Sequence, residues 1–160
     1  MGADGRRRAQ PPTVGAVSGP LRVGVPHHVR LTVTDVARSV AFYTEVLGFE
    51  VALDRPPADD PGGVVEDTLQ GGVVLTNAGV MVGLRPVAAG RADDRFDPFR
   101  VGLDHLSFGV DSRADLDRAV AVLDERGVEH GPVREAPPLG MAFLAVFDPD
   151  GIALELTAPL

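Results

Sequence analysis

His28-Val-Arg-Leu-Thr-Val33 and, further along, His105-Leu-Ser-Phe-Gly-Val110 are written to one plan. Each opens on histidine and then places an apolar residue at every second position, the spacing of a strand with one buried face. The segments after these two strands agree as well. After the first, Thr34-Asp35 offers an N-cap, and Val36, Val40, Tyr43 and Leu47 recur at helical spacing up to Gly48. After the second, Ser112 with Asp115 three residues on resembles a capping box, Leu116, Val120 and Leu123 form an apolar stripe, and Gly127 ends the helix.

The closings match too. Gly79-Val-Met-Val-Gly-Leu-Arg-Pro86 lies on Gly151-Ile-Ala-Leu-Glu-Leu-Thr-Ala158 without a gap. Between helix and last strand each copy has room for two further strands, near residues 51–53 and 72–76 in the first and near 128–133 and 141–147 in the second. The expected fold is therefore α+β, with two βαβββ modules forming a curved mixed sheet around a shared metal cleft. Module one covers about residues 27–87, a linker about 88–102, and module two about 103–158, all within one domain over 26–158. Residues 54–67 and 87–103, rich in Pro, Gly and Asp, read as turns and exposed loops.

Residues 1–25 mix Arg, Pro and Gly with no apolar period and read as a mobile tail. Arg6, Arg7 and Arg8 lack the apolar region of an export signal behind them, so the cytoplasm is the expected compartment. No apolar run reaches the roughly 20 residues of a membrane span. A net charge of −8 argues against nucleic acid as a partner, because a phosphate backbone rewards clustered Lys and Arg. Cysteine is absent, so any metal must be held by His, Asp or Glu.

Strand parity sorts the candidates. Val29, Leu31 and Val33 face the core, which leaves His28, Arg30 and Thr32 on the other face; likewise His105, Ser107 and Gly109 oppose Leu106, Phe108 and Val110. On the last strand Ile152, Leu154 and Leu156 are core, and Glu155 is a carboxylate on an otherwise apolar segment, where an unpaired charge is costly. Two histidines at equivalent repeat positions become neighbours if the modules pair by a pseudo-twofold. His28, His105 and Glu155 are therefore the expected metal ligands, a two-His-one-carboxylate set that suits Fe(II) and accepts Mn(II), Zn(II), Co(II) or Ni(II). The position equivalent to Glu155 in module one is Gly83, which has no side chain to coordinate and leaves that corner open to water, substrate or oxygen. His27 faces the opposite side from His28, and His130, in a turn, reads as exposed.

These segments resemble the vicinal oxygen chelate superfamily, which includes glyoxalase I, extradiol dioxygenases, fosfomycin-resistance enzymes, methylmalonyl-CoA epimerase and bleomycin-resistance binding proteins. The resemblance covers about residues 26–158. It is carried by His28-Val-Arg-Leu-Thr-Val-Thr-Asp35, Ser39-Val-Ala-Phe-Tyr-Thr-Glu-Val-Leu-Gly48, Leu103-Asp-His-Leu-Ser-Phe108 and Phe147-Asp-Pro-Asp-Gly-Ile-Ala-Leu-Glu-Leu156. It implies a metal on the concave face of paired modules, with His28, His105 and Glu155 at family ligand positions, and it implies a homodimer. Gly83 stands where the four-ligand members place a further ligand, which favours the three-ligand chemistries.

The leading expectation is thus a metal-dependent enzyme that chelates a small oxygenated substrate, foremost an Fe(II) oxygenase of the extradiol type. A non-oxidative reaction, such as epoxide opening or isomerisation through an enediolate, is the alternative, and a metal-free drug-binding protein is the third reading. Arg30, Arg85, Thr32 and Ser107 are the candidate substrate-binding residues, the two arginines for an anionic group. No one general base stands out; Tyr43 is the catalytic candidate, beside the loop carboxylates Asp59, Asp60 and Glu66.

Overall fold

A computed structural model describes residues 24–160. The tail expected over residues 1–25 lies, up to residue 23, outside the described residues. Module one runs β1 (Val29–Val33), α1 (Val36–Glu45), β2 (Glu50–Leu53), α2 (Val64–Leu69), β3 (Val73–Asn77) and β4 (Val80–Pro86). Module two runs β5 (Leu106–Gly109), α3 (Arg113–Arg126), β6 (Arg134–Ala136), β7 (Met141–Phe147) and β8 (Ala153–Pro159). The sheets are ordered β1-β4-β3-β2 and β5-β8-β7-β6. In each, first and last strands pair in parallel across the helical crossover and the rest are antiparallel. The repeat is thus present as expected.

Local chemistry explains the helix ends. Asp35 accepts the Arg38 amide at 3.0 Å and caps α1. That helix stops at Glu45, short of Gly48, whose positive φ lets Phe49 turn back and donate its amide to the Tyr43 carbonyl. Gly127 closes α3 in the same left-handed conformation. Ser112 does not complete a capping box; its hydroxyl goes to the Asp115 carboxylate at 2.5 Å and not to a backbone amide.

Two segments differ from expectation. The strand placed near 128–133 forms instead at Arg134–Ala136, because Pro132 has no amide to donate; only His130 bridges Val146 upstream of it. Within the stretch read as loop, Asp60 accepts the Val65 and Glu66 amides at 3.0 Å each and starts α2, which sequence periodicity was too short to reveal.

One core serves both modules. Leu31, Val33, Leu75, Val82 and Leu84 from the first sheet join Leu144, Val146 and Leu154 from the second, with Tyr43 and Leu116 from the helices. Phe49 and Phe108 meet edge to face across the seam, centroids 5.7 Å apart. The turn between β7 and β8 adds a polar clamp. Asp150, 3% exposed, accepts the Thr34 amide at 2.8 Å, the Thr34 hydroxyl, and Arg38 Nη2 at 2.6 Å, all from module one.

Asp148 in the same turn accepts the amides of Asp150 and Ile152, each at 2.8 Å. Burial pushes its carboxyl above the usual range, against the opposing pull of those amides. A carboxyl whose folded pKa is raised favours folding most when protonated, and that contribution is lost as pH rises through the folded value. Asp148→Asn keeps one acceptor oxygen without the charge. It is expected to be at least as stable as the parent at neutral pH and to lose any advantage on acidification through the carboxylate range. Asp148→Ala, which strands two amides, is expected to cost about 2–4 kcal/mol. Urea denaturation of both variants across pH checks this.

Candidate metal centre

Parallel pairing puts β5 beside β8 with Ser107 opposite Glu155 and Gly109 opposite Thr157. The polar parity of both strands therefore falls on one open face. His105, one residue before β5, turns its Nε2 to 3.9 Å from Glu155 Oε1, while its Nδ1 lies 2.5 Å from Asp104 Oδ1. A carboxylate on Nδ1 selects the tautomer with its proton there and leaves the Nε2 lone pair toward Glu155. Glu155 is itself positioned. Its Oε1 accepts from Ser107 Oγ at 3.1 Å and Thr157 Oγ1 at 2.9 Å, and the two hydroxyls are 2.7 Å apart, so two protons serve three contacts.

His105 and Glu155 fit a divalent ion as a pair: an imidazole lone pair and a carboxylate oxygen, at a gap that bonds of about 2.0–2.2 Å can bridge. His28 does not join them. No group of three or more His, Asp or Glu that could hold an ion occurs among the described residues. His28 is exposed, its Nδ1 3.0 Å from His27 Nδ1. It lines a pocket of about 450 Å³ at the seam between modules. It shares that pocket with Leu106, Phe108 and Leu156, of the core parity of β5 and β8, and with Ser107 and Gly109, of the polar parity of β5.

Module one presents the matching face. Arg30 stands opposite Gly83 and Thr32 opposite Arg85. Arg30 Nη2 donates to the Leu69 carbonyl at 2.8 Å; Arg85 donates to Thr32 Oγ1 and Gln70 Oε1, both at 3.2 Å. The corner expected to be open at Gly83 is not. Register places Arg30 beside it, and a Cβ built on Gly83 would lie 3.3 Å from Arg30 Cγ.

Tyr43 is a correction. It is wholly buried, its hydroxyl donates to Asp148 Oδ2 at 3.5 Å, and desolvation, reinforced by Asp148, drives its pKa far upward. A phenol so placed belongs to the core and cannot act as a base on substrate. Asp60 is engaged as the cap of α2, whereas Asp59 and Glu66 are exposed. His130 is half-buried rather than exposed, with Nδ1 2.8 Å from the Gly131 carbonyl and Nε2 3.2 Å from Asp124; those two contacts, the carbonyl foremost, raise its pKa. Sequence reading assigned no role to Asp104 and Thr157. The signal was available: Asp104 adjoins a candidate ligand, and Thr157 shares the parity of Glu155 two residues on.

With this arrangement in view, residues 25–156 match the Glyoxalase/Bleomycin resistance protein/Dioxygenase superfamily, and the chain belongs to that family. The uncharacterized protein YwkD of Bacillus subtilis (strain 168) is 32% identical over 130 residues, 81% of this chain and 93% of YwkD. YaeR of Escherichia coli (strain K12), likewise uncharacterized, is 32% identical over 130 residues, 81% of this chain and 92% of YaeR. Among solved structures, a glyoxylase/bleomycin resistance protein/dioxygenase domain from Frankia sp. EAN1pec superposes with a TM-score of 0.71 at 32% identity, covering 87% of this chain and 94% of that one. No helix among the described residues is long and apolar enough to cross a membrane.

The placement of Tyr43 is testable. Tyr43→Phe loses one long hydrogen bond and is expected to cost about 1 kcal/mol or less in urea denaturation, with metal affinity unchanged by calorimetry. A large loss of metal affinity at unchanged stability would return Tyr43 to the site.

Proposed function

We propose that this chain is a divalent-metal-dependent enzyme, working in the cytoplasm, that acts on a small oxygenated substrate through two adjacent oxygens. The observation that carries this reading is the His105–Glu155 pair, with a carboxylate behind the imidazole and two hydroxyls behind the carboxylate. A bound ion would supply Lewis acidity, a template for the substrate and, as iron(II), access to oxygen chemistry. Asp104 keeps the Nε2 lone pair of His105 available. Ser107 and Thr157 hold Oε1 of Glu155 in place, 3.9 Å from His105 Nε2. Arg30, Arg85 and Thr32 meet the substrate from the other module.

His28 is the third ligand in this reading, and it comes from a second copy. The support is that, within one chain, no group of three ligands forms among the described residues, while His28 stays exposed in the pocket at the seam. A two-fold homodimer that sets the open face of module one in each copy against that of module two in the other would bring each face against its complement. An Fe(II) oxygenase of the extradiol type suits three protein ligands, because such a set leaves positions for both substrate and oxygen. The non-oxidative alternative, isomerisation or epoxide opening with Mn(II), Zn(II), Ni(II) or Co(II), has its own support in Arg30, whose stem crosses Gly83: a guanidinium on that face stabilises a developing oxyanion with no oxygen required.

Metal content by mass spectrometry is expected to show a stoichiometric ion that is lost in His28→Ala, His105→Ala and Glu155→Ala. Mixing refolded His28→Ala with Glu155→Ala should restore part of the binding, because one site of the mixed dimer keeps every ligand. No restoration would place all three ligands within one chain, and no metal in the parent protein after reconstitution would remove the enzyme reading. Oxygen uptake by the iron(II) form with catechols separates the branches: none is expected from the non-oxidative one.

A further inference from the structure

We infer that the open face of module one is an oxyanion site, built by Arg30 and Arg85, that receives a phosphate, phosphonate or carboxylate group of the substrate. The inference rests on the proposed function only for the identity of its ligand as substrate; the site itself follows from the sheet.

The two modules carry opposite charge on their open faces, each charge standing where the other module has a neutral residue. Where β5 and β8 set Ser107 beside Glu155, β1 and β4 set Arg30 beside Gly83. Where Gly109 faces Thr157, Thr32 faces Arg85. Glycine at 83 is what allows the first exchange, since the Arg30 stem lies across it, with Cγ, Cδ and Cβ at 3.3, 3.7 and 3.8 Å from an added Cβ. A Cβ there would press on the arginine stem, which would have to give way by a few tenths of an ångström.

The two guanidiniums also have neighbouring anchors. Arg30 is tied to the carbonyl of Leu69 and Arg85 to the side chain of Gln70, two consecutive residues at the end of α2. Both anchors are neutral. Neither guanidinium has a carboxylate within ion-pair distance among the described residues, a state they share with Arg95, Arg100, Arg126 and Arg134; what sets them apart is that both stand on one sheet face, one same-face register step apart, with anchors on consecutive residues. Most of their N–H groups stay free, in the planar fork that grips two oxygens of one oxyanion. Held at one end by neutral acceptors, they lose little freedom on binding.

The test uses metal-free full-length protein labelled with 15N, following the arginine side-chain Nε–H signals on titration with inorganic phosphate, methylphosphonate and acetate against sodium chloride at matched ionic strength. Arg30 and Arg85 signals should move together and saturate. Arg30→Ala and Arg85→Ala should each weaken binding by about tenfold or more. Because Arg30 also anchors α2, Arg30→Lys and Arg85→Lys serve as fold-preserving variants, which keep the charge but lose the fork and should still bind severalfold more weakly. Because the titration is run without metal, its outcome is independent of the metal reading, whose own failure would show in the metal content of the parent protein. Tighter binding of acetate identifies a carboxylate ligand; tighter binding of phosphate or methylphosphonate identifies a phosphoryl or phosphonyl one. Lysine variants equal to the parent, or shifts that chloride reproduces, would show only a diffuse positive surface and overturn the site.

Discussion

Asp150 is where two similar modules become one body. Its carboxylate is withdrawn from solvent at the β7–β8 turn and satisfied almost entirely by module one, through the backbone and hydroxyl of Thr34 and the guanidinium of Arg38. A buried charge is tolerable only when so compensated. The clamp therefore fixes the end of β1 against the β7–β8 turn, while Phe49 and Phe108 fix the seam with apolar surface. Once that core is closed, strand parity leaves no choice about the remaining residues. A slip of one residue would turn every core side chain outward, so Arg30, Thr32 and Arg85 on one sheet, and Ser107, Glu155 and Thr157 on the other, are held on the open faces by the same packing that buries Leu31 and Leu154.

The repeat makes the difference between those faces informative. Both modules share one topology and one register, yet one displays a carboxylate propped by hydroxyls and the other a pair of arginines anchored on neutral acceptors. Equal folds with unequal charge suit an asymmetric ligand, with one end addressed by a carboxylate and imidazole and the other by guanidinium forks. That division also accounts for Gly83: the register that would set a second carboxylate beside β1 instead provides the floor on which the Arg30 stem lies.

Much of this was legible in the sequence because alternation and helical spacing report directly on burial. The strand that opens each module, both long helices, the closing strands and the outward parity of His105 and Glu155 all follow from residue spacing. The same spacing holds the answer for Tyr43, which shares an apolar stripe with Val36, Val40 and Leu47, the pattern of a core side chain rather than of a catalytic one. What spacing does not carry is long-range pairing. α2 depends on a single aspartate cap ahead of one short helix, and β6 on where Pro132 interrupts the ladder. Parity tells which side of its own strand His28 occupies, but not which sheet that side confronts.

The electrostatics of the proposed centre bear on that last point. With a single carboxylate among its ligands, a divalent ion keeps net positive charge, and a second carboxylate at position 83 would cancel it and repel an anionic substrate. A guanidinium in its place adds to the field instead. Assembled face to face, the two modules would make a concentrated positive seat in a chain that carries a net charge of −8. Such a seat is costly to build from like charges unless an anion completes it, so in the proposed homodimer ligand and assembly would be coupled: bringing Arg30 and Arg85 toward His105 and Glu155 would be favoured by an oxyanion that bridges them.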